Sequence, residues 1–202
     1  MNEAMTKEKI TAFFNECASW WDDHIIRNEE AIKRILDNAH VEEGAKVLDV
    51  ACGTGVLFDD YLVRGVCHVT AVDISPEMVK KAKMNYNDER IEVICGDIEE
   101  FECGAEYDVC MVYNAFPHFP DPEKLISKLA ALIKPGGRLS IAHGMSAAQL
   151  KEHHSRRASN VSLDLPGTDV IAKMMEKNGV IADCRISDDM MFQVAGMKLE
   201  EQ

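Results

Sequence analysis

Two hydrophobic periods divide the chain. Over residues 6–38 the apolar positions Ile10, Phe13, Phe14 and Ala18 recur on one helical face, and Ile25, Ala31, Ile32, Ile35 and Leu36 form a second such stretch. From residue 45 the pattern changes to short continuous apolar runs, which mark strands buried on both faces. They are AKVLDVA (45–51), VTAVDI (69–74), IEVICGD (91–97), YDVCMVY (107–113) and RLSIAH (138–143). Helix signals fall between them. Ser75-Pro76-Glu77 supplies a cap followed by proline at the first helical position, and Asp121-Pro122-Glu123 does the same for a helix reaching about Ile133. Lys134-Pro135-Gly136-Gly137 is expected to stop that helix. AAQLKEHHSRR (147–157) reads as a helix beginning near Ser146, and another spans 168–178 and ends at Asn178-Gly179. Two strand-like stretches follow, at 180–187 and 190–199. Alternating strands and helices predict an α/β fold with a mainly parallel sheet, whose ligands lie at the carboxyl ends of the strands.

Composition narrows the partners. The 202 residues carry 22 Lys and Arg against 35 Asp and Glu, a net charge of −13, and are 47% hydrophobic and 28% charged. This suits one globular domain. The acidity disfavours nucleic acid and anionic membrane surfaces, both of which are met by clustered Lys and Arg. No apolar run approaches the ~18 residues of a membrane span. MNEAMTKEKI at the start has no apolar core of a secretory signal. The seven cysteines form no Cys-x-x-Cys, and an odd set of this kind suits a reducing cytoplasm, with the thiols serving as small buried hydrophobes.

The candidate chemistry lies at strand ends. Asp49-Val50-Ala51-Cys52-Gly53-Thr54-Gly55 follows the first run directly, and its small residues let backbone approach a ligand. Asp73 ends the second run, where a carboxylate can accept both hydroxyls of a ribose; Asp97 ends the third and could accept from an adenine amino group. Three carboxylates would repel a pyrophosphate and suit a cationic ligand bearing a ribose, an amine and a base. A plain tight turn is the alternative. A nicotinamide-type Gly-x-Gly-x-x-Gly is not met, because Phe58 holds the third glycine position, and no Gly-Lys-Ser/Thr phosphate loop occurs.

VLDVACGTG, AVDISPEMV, ICGDIEEF, YDVCMVYNAF and LIKPGGRLSI, in that order, resemble the class I S-adenosylmethionine-dependent methyltransferases, and most closely the small-molecule branch that includes quinone-biosynthesis enzymes. The resemblance spans roughly residues 10–199. It implies a Rossmann-like, doubly wound sheet of seven strands in the order 3-2-1-4-5-7-6, with only the last strand antiparallel. It implies S-adenosyl-L-methionine as cofactor and a single methyltransferase domain. Within it, 1–40 would be an N-terminal helical lid and 41–202 the core, with a substrate-side insertion at 143–168. Asp49, Ala51, Cys52, Gly53, Thr54 and Gly55 would surround the methionine part of the cofactor, and Ala51 stands where the family usually has glycine. Asp73 would bind the ribose; Ile74 and Met78 would pack near the adenine; Asp97 would meet its amino group, with Ile98 beside the ring. Asn114 would lie near the transferring methyl. Phe14-Asn15…Ala18-Ser19-Trp20-Trp21-Asp22 resembles the segment that closes over the cofactor, with Trp21 covering the sulfonium.

The acceptor side is less legible. Methyl transfer is an in-line displacement that needs a base only if the acceptor must lose a proton. His118 and His143, past neighbouring strands, are expected to flank one mouth, with His154 on the following helix. Three readings stay open: hydrogen-bonded loop histidines, groups that bind or deprotonate the acceptor, or a metal site from the three, although no tight ligand spacing occurs. Lys151–Arg157 is the one dense basic patch. Asn114-Ala115-Phe116-Pro117 is not the Asn/Asp-Pro-Pro-Tyr of nucleic-acid amine methylation. The expected function is methyl transfer to a small molecule by a monomer or homodimer. The alternatives are a cofactor-binding sensor, or an enzyme of the same fold that uses the sulfonium without transferring its methyl.

Overall fold

The computed structural model describes residues 5–102, 107–158 and 160–200, with 153–157 described by backbone alone. Its strands are β1 (Lys46–Val50), β2 (His68–Asp73), β3 (Ile91–Cys95), β4 (Tyr107–Tyr113), β5 (Ile133–His143), β6 (Val180–Ser187) and β7 (Phe192–Lys198). They form one sheet in the order β3-β2-β1-β4-β5-β7-β6. All neighbours from β3 to β5 pair in parallel, and β7 runs antiparallel to both β5 and β6. This is the order and direction that the resemblance implied.

The helices are α1 (Lys7–Cys17), α2 (Trp21–His24), α3 (Glu29–Asn38), α4 (Phe58–Val63), α5 (Pro76–Asn85), α6 (Pro122–Leu132), α7 (Ala147–Arg157) and α8 (Thr168–Glu176). Alternate residues of a strand point to opposite faces, so each central strand feeds two cores. Val47, Val69, Val109 and Met111 meet α3, α4 and α5 on one side. Leu48, Val50, Cys110 and Val112 meet α6 and α8 on the other. That is why β1 and β4 read as predominantly apolar runs, interrupted inside only by Asp49 and Asp108. The caps act as the sequence predicts: Ser75 accepts from Met78 N–H at 3.2 Å, and Asp121 from Lys124 N–H at 3.0 Å.

The structure differs from the sequence reading at four places. The N-terminal helical stretch is three helices, and α3 belongs to the core rather than to a lid spanning 1–40. Ala31, Ile32, Ile35 and Leu36 are fully buried, and Gln193 in β7 donates to the Ile35 carbonyl at 2.9 Å while accepting from Asn38 at 2.8 Å. Second, β5 begins at Ile133, before Lys134-Pro135-Gly136-Gly137. Ile133 pairs with Tyr107 and Arg138 with Val109, so residues 134–137 loop out within the strand instead of ending it. Gly137 is required there, because a Cβ would stand 2.9 Å from the Tyr107 carbonyl oxygen. Third, β3 ends at Cys95, and Asp97 lies in the turn beyond it. Fourth, α8 stops at Glu176, one turn's half short of Asn178. Among the described residues no helix is long and apolar enough to cross a membrane.

Candidate functional site

At the carboxyl ends of β1, β2 and β4 the chain leaves the sheet into a cleft of about 960 Å³, counted out to its mouth. This is the place expected of a small-molecule site in an open α/β sheet. Of the residues singled out in the sequence, Trp21, Ala51, Cys52, Gly53, Asp73, Ile74, Met78, Asp97, Ile98, Asn114 and His118 line it. Asp49, Thr54 and Gly55 do not, and His143 does not.

Asp73 is the most constrained of these. It is 7% exposed, and its two carboxylate oxygens accept from Gly53 N–H and Ser75 N–H, each at 2.8 Å. Burial pushes its pKa up to about 6, although both backbone donors pull the other way. Asp49, 2% exposed, is the penultimate residue of β1 and lies outside the cleft wall. Burial, and then the charge of Asp73, raise it to about 7. The Tyr61 hydroxyl favours the ionised form without closing a full hydrogen bond. Two neighbouring carboxylates that hold their protons this tightly suit a site completed by a cation.

The loop between them is shaped by backbone. Ala51 adopts φ +56, a left-handed conformation that glycine holds without strain, and its N–H bonds the Val72 carbonyl at 2.8 Å. Glycine at this position in the family is thereby explained. Gly53 has φ +57, and a Cβ on it would lie 4.0 Å from Trp21 Nε1. Trp21 therefore covers the loop. It stacks edge-on to Phe14, centroids 5.8 Å apart. The covering element is α1 with α2. Asn15 Oδ1 accepts from Ser75 Oγ at 2.7 Å, and Lys81 donates to the Ser19 carbonyl at 3.3 Å.

Asp97 already holds partners of its own. Lys7, from the first turn of α1, donates to it and to Glu99. On the opposite rim Asn114 holds φ +55 and accepts from Gly144 N–H at 3.0 Å. His118 lies in a short 3₁₀ turn, Phe116–His118, with Nδ1 at 2.8 Å from the Val161 carbonyl and its ring edge-on to Phe14. A carbonyl only accepts, so Nδ1 carries the proton.

Phe14, Trp21, Ile25, Asn114 and His118 also line a second, adjoining cleft, whose walls include Phe13, Trp20, Met145, Gln149 and Leu150. His143 enters neither cleft. It is fully buried at the end of β5 with its ring edge-on to Phe192, so it does not flank a mouth with His118. His143 is the last residue of β5 and packs within the core beside Phe192, whereas His118 lies in the 3₁₀ turn beyond β4. The His154 side chain lies outside the described residues. Among the described residues no group of three His, Cys, Asp or Glu is placed to hold a metal ion. The sequence reading missed Lys7, Ile25, Val56 and Tyr113, all cleft residues. It also missed Arg27, which bonds the Val56 carbonyl, Asp60 and Glu29. Neither a lysine in a first helical turn nor an arginine between two helices carries a signal of a partner more than 25 residues away.

A methyltransferase domain family matches residues 47–137. The ubiquinone biosynthesis O-methyltransferase of Xylella fastidiosa strain 9a5c is 34% identical over 149 residues, 67% of this chain and 57% of that protein. The chain carries a class I S-adenosylmethionine-dependent methyltransferase domain. The enzyme of the same name from Coxiella burnetii is 33% identical over 143 residues, 66% of this chain and 60% of that protein. This methyltransferase chain thus spans about three fifths of the length of the curated relatives it matches. Solved structures agree on the fold. Magnesium protoporphyrin IX methyltransferase of Synechocystis PCC 6803, with S-adenosylhomocysteine bound, superposes with a TM-score of 0.71 at 16% identity over 96% of this chain and 100% of that one. The N-methyltransferase NodS of Bradyrhizobium japonicum does so at 0.70 and 12%, over 96% and 98%.

Proposed function

We propose that the protein transfers the methyl group of S-adenosylmethionine to a small-molecule acceptor. The observation that carries this reading is Asp73, a buried carboxylate at the end of β2, oriented by two backbone donors and opening into a cleft roofed by Trp21. The residues fit the group. Asp73 accepts from the ribose; Ile74, Met78 and Ile98 flank the base; Ala51–Gly53 and Asn114 hold the amino-acid end. The acidic pair Asp49 and Asp73 offsets a net positive charge. When bound, the sulfonium supplies an already activated methyl group.

The chain then has little covalent chemistry to do. Trp21 and Phe14 exclude water and present aromatic faces to positive charge. The second cleft positions the acceptor, and its aromatic and aliphatic walls suit an apolar or aromatic molecule. His118 adjoins both clefts. With Nδ1–H donating to Val161, its Nε2 is the basic nitrogen and takes a proton from an acidic O–H of the acceptor. The name of the relatives supports an oxygen acceptor. The six described cysteines are free thiols, which supports the cytoplasm as the working compartment.

Titration calorimetry with S-adenosylhomocysteine tests the reading. The wild type binds, and Asp73→Ala loses about tenfold or more in affinity, as a charged hydrogen bond to a sugar implies. Transfer of labelled methyl to catechol-type acceptors follows, and His118→Gln slows it by about 100-fold while leaving the S-adenosylhomocysteine affinity within a factor of about 2. Absence of binding to either form of the cofactor would sink the proposal.

A further inference from the structure

We propose that Lys7 makes closure of the N-terminal lid part of nucleobase binding: its ammonium pins Asp97, so that α1 and the base edge are held or released together. The inference rests on the reading of the cleft as an S-adenosylmethionine site. Lys7 lies in the first turn of α1, and Asp97 and Glu99 lie in the turn after β3, some 90 residues away. Lys7 Nζ donates to both carboxylates, at 2.7 Å to Glu99. Lys7 and Asp97 line the cleft together with Gly96 and Ile98.

The contact is more than a surface ion pair. The Glu99 side chain is only 3% exposed and also accepts from Lys124 Nζ of α6, at 2.7 Å. A carboxylate buried to this degree needs cations beside it, and the lid supplies one of the two. Burial lowers the pKa of Lys7, but its bonds to Asp97 and Glu99 outweigh that, and the net shift is upward. Lys7 therefore stays charged through the working range. The second Asp97 oxygen accepts from Glu99 N–H at 2.9 Å, so the carboxylate is fixed from the lid on one side and from its own turn on the other.

A second tether runs in parallel. Asn15 of α1 accepts from Ser75 Oγ, and Ser75 N–H is one of the two donors that orient Asp73. One helix thus touches the ribose acceptor through a single intervening residue and touches the base acceptor directly. Lifting α1 frees Asp97 to swing and leaves Glu99 with one lysine. Placing a base against Asp97 and Ile98 fills the space beneath α1. Each event favours the other, which is a coupling between lid and ligand.

The probe is S-adenosylhomocysteine titrated into the full chain. It carries no net charge, so bulk screening alone leaves its affinity little changed. Lys7→Met weakens binding by about three- to tenfold at low salt, Lys7→Arg keeps it within a factor of about 2, and Lys124→Met, which touches Glu99 but not the lid, does the same. Raising salt from about 50 to 500 mM weakens the wild type toward Lys7→Met and moves that variant little. Hydrogen exchange in α1 slows when S-adenosylhomocysteine binds the wild type and slows less in Lys7→Met. Unchanged or tighter binding by Lys7→Met, or Lys7→Arg as weak as Lys7→Met, overturns the proposal. The salt titration of the wild type reads the same latch without a substitution, and a salt-independent affinity also overturns it. A wild type that binds no S-adenosylhomocysteine at all removes the cofactor reading itself, and the latch with it.

Discussion

Asp49 and Asp73 set the electrostatics of the site from inside the protein. Both carboxyls hold their protons to higher pH than an ordinary aspartate, Asp49 to about 7 and Asp73 to about 6. Without ligand, the folded state binds more protons than the unfolded chain between the ordinary value of 3.8 and these raised values. Stability contributed by this pair is therefore full below about pH 4 and is lost as the pH rises toward 7. Carboxylates such as Asp88, held down to about 2 by hydrogen bonds from Arg90, have the opposite slope, and theirs lies below pH 4. The expected outcome is that Asp49→Asn gains thermal stability relative to wild type as the pH is raised from 5 to 8, by roughly 2–3 kcal/mol across that range. Thermal midpoints of both proteins across that range check it, and a constant difference would contradict the burial argument. The same ionisation favours a cationic ligand, so affinity for S-adenosylmethionine rises over that interval. Ala51 shows a different residue-scale compromise. It holds a left-handed backbone where glycine would be unstrained, and the Val72 carbonyl bond keeps it there.

At the scale of elements the N-terminal helices divide into two roles. Apolar periodicity is visible in α1 and α3 alike, yet α3 is sealed against the sheet and α1 lies over the cleft. The difference is in what the polar residues touch. Asn38 of α3 bonds Gln193 in the buried interior, whereas Lys7 and Asn15 of α1 bond the cleft's own turns. Trp20 and Trp21 are the only two tryptophans in the sequence, and both lie on this covering segment. Ligand binding beneath it is expected to quench or shift tryptophan emission. Trp21→Phe removes most of that change and weakens S-adenosylhomocysteine binding by about three- to tenfold, since an aromatic ring remains but the indole over Gly53 is lost. Emission that responds to ligand equally in wild type and variant would place the covering role elsewhere.

For the whole molecule, the balance between sequence and tertiary structure follows from the range of the interactions involved. The sheet was legible because strands buried on both faces must be predominantly apolar: Val47, Leu48 and Val50 in β1 and Val109 to Val112 in β4 feed two cores at once, and no exposed strand would keep such a run. Helix starts were legible because Ser75 and Asp121 act within three residues of themselves. The carboxylates Asp49, Asp73 and Asp97 were legible because each lies within two residues of its strand's carboxyl end. What lies between elements distant in sequence was not. Nothing local distinguishes Lys7 from Lys9, yet only the first meets Asp97 and Glu99. Nothing local separates His118 from His143, yet one lines both clefts and the other is sealed behind Phe192. Glycine and proline at 134–137 mark the end of α6 and the turn but not the pairing on either side of it, so the entry of Ile133 into β5 was hidden. The sequence by itself thus determined the fold class, the strand order through its family resemblance, and the strand-end turns that line the cleft. These depend on periodicity and on neighbours a few residues apart. Only the tertiary structure decided which helix covers the cleft, which histidine reaches it and which lysine latches it. Those contacts join segments 40 to 100 residues apart, and a side chain's direction there is fixed by packing rather than by its neighbours in the chain.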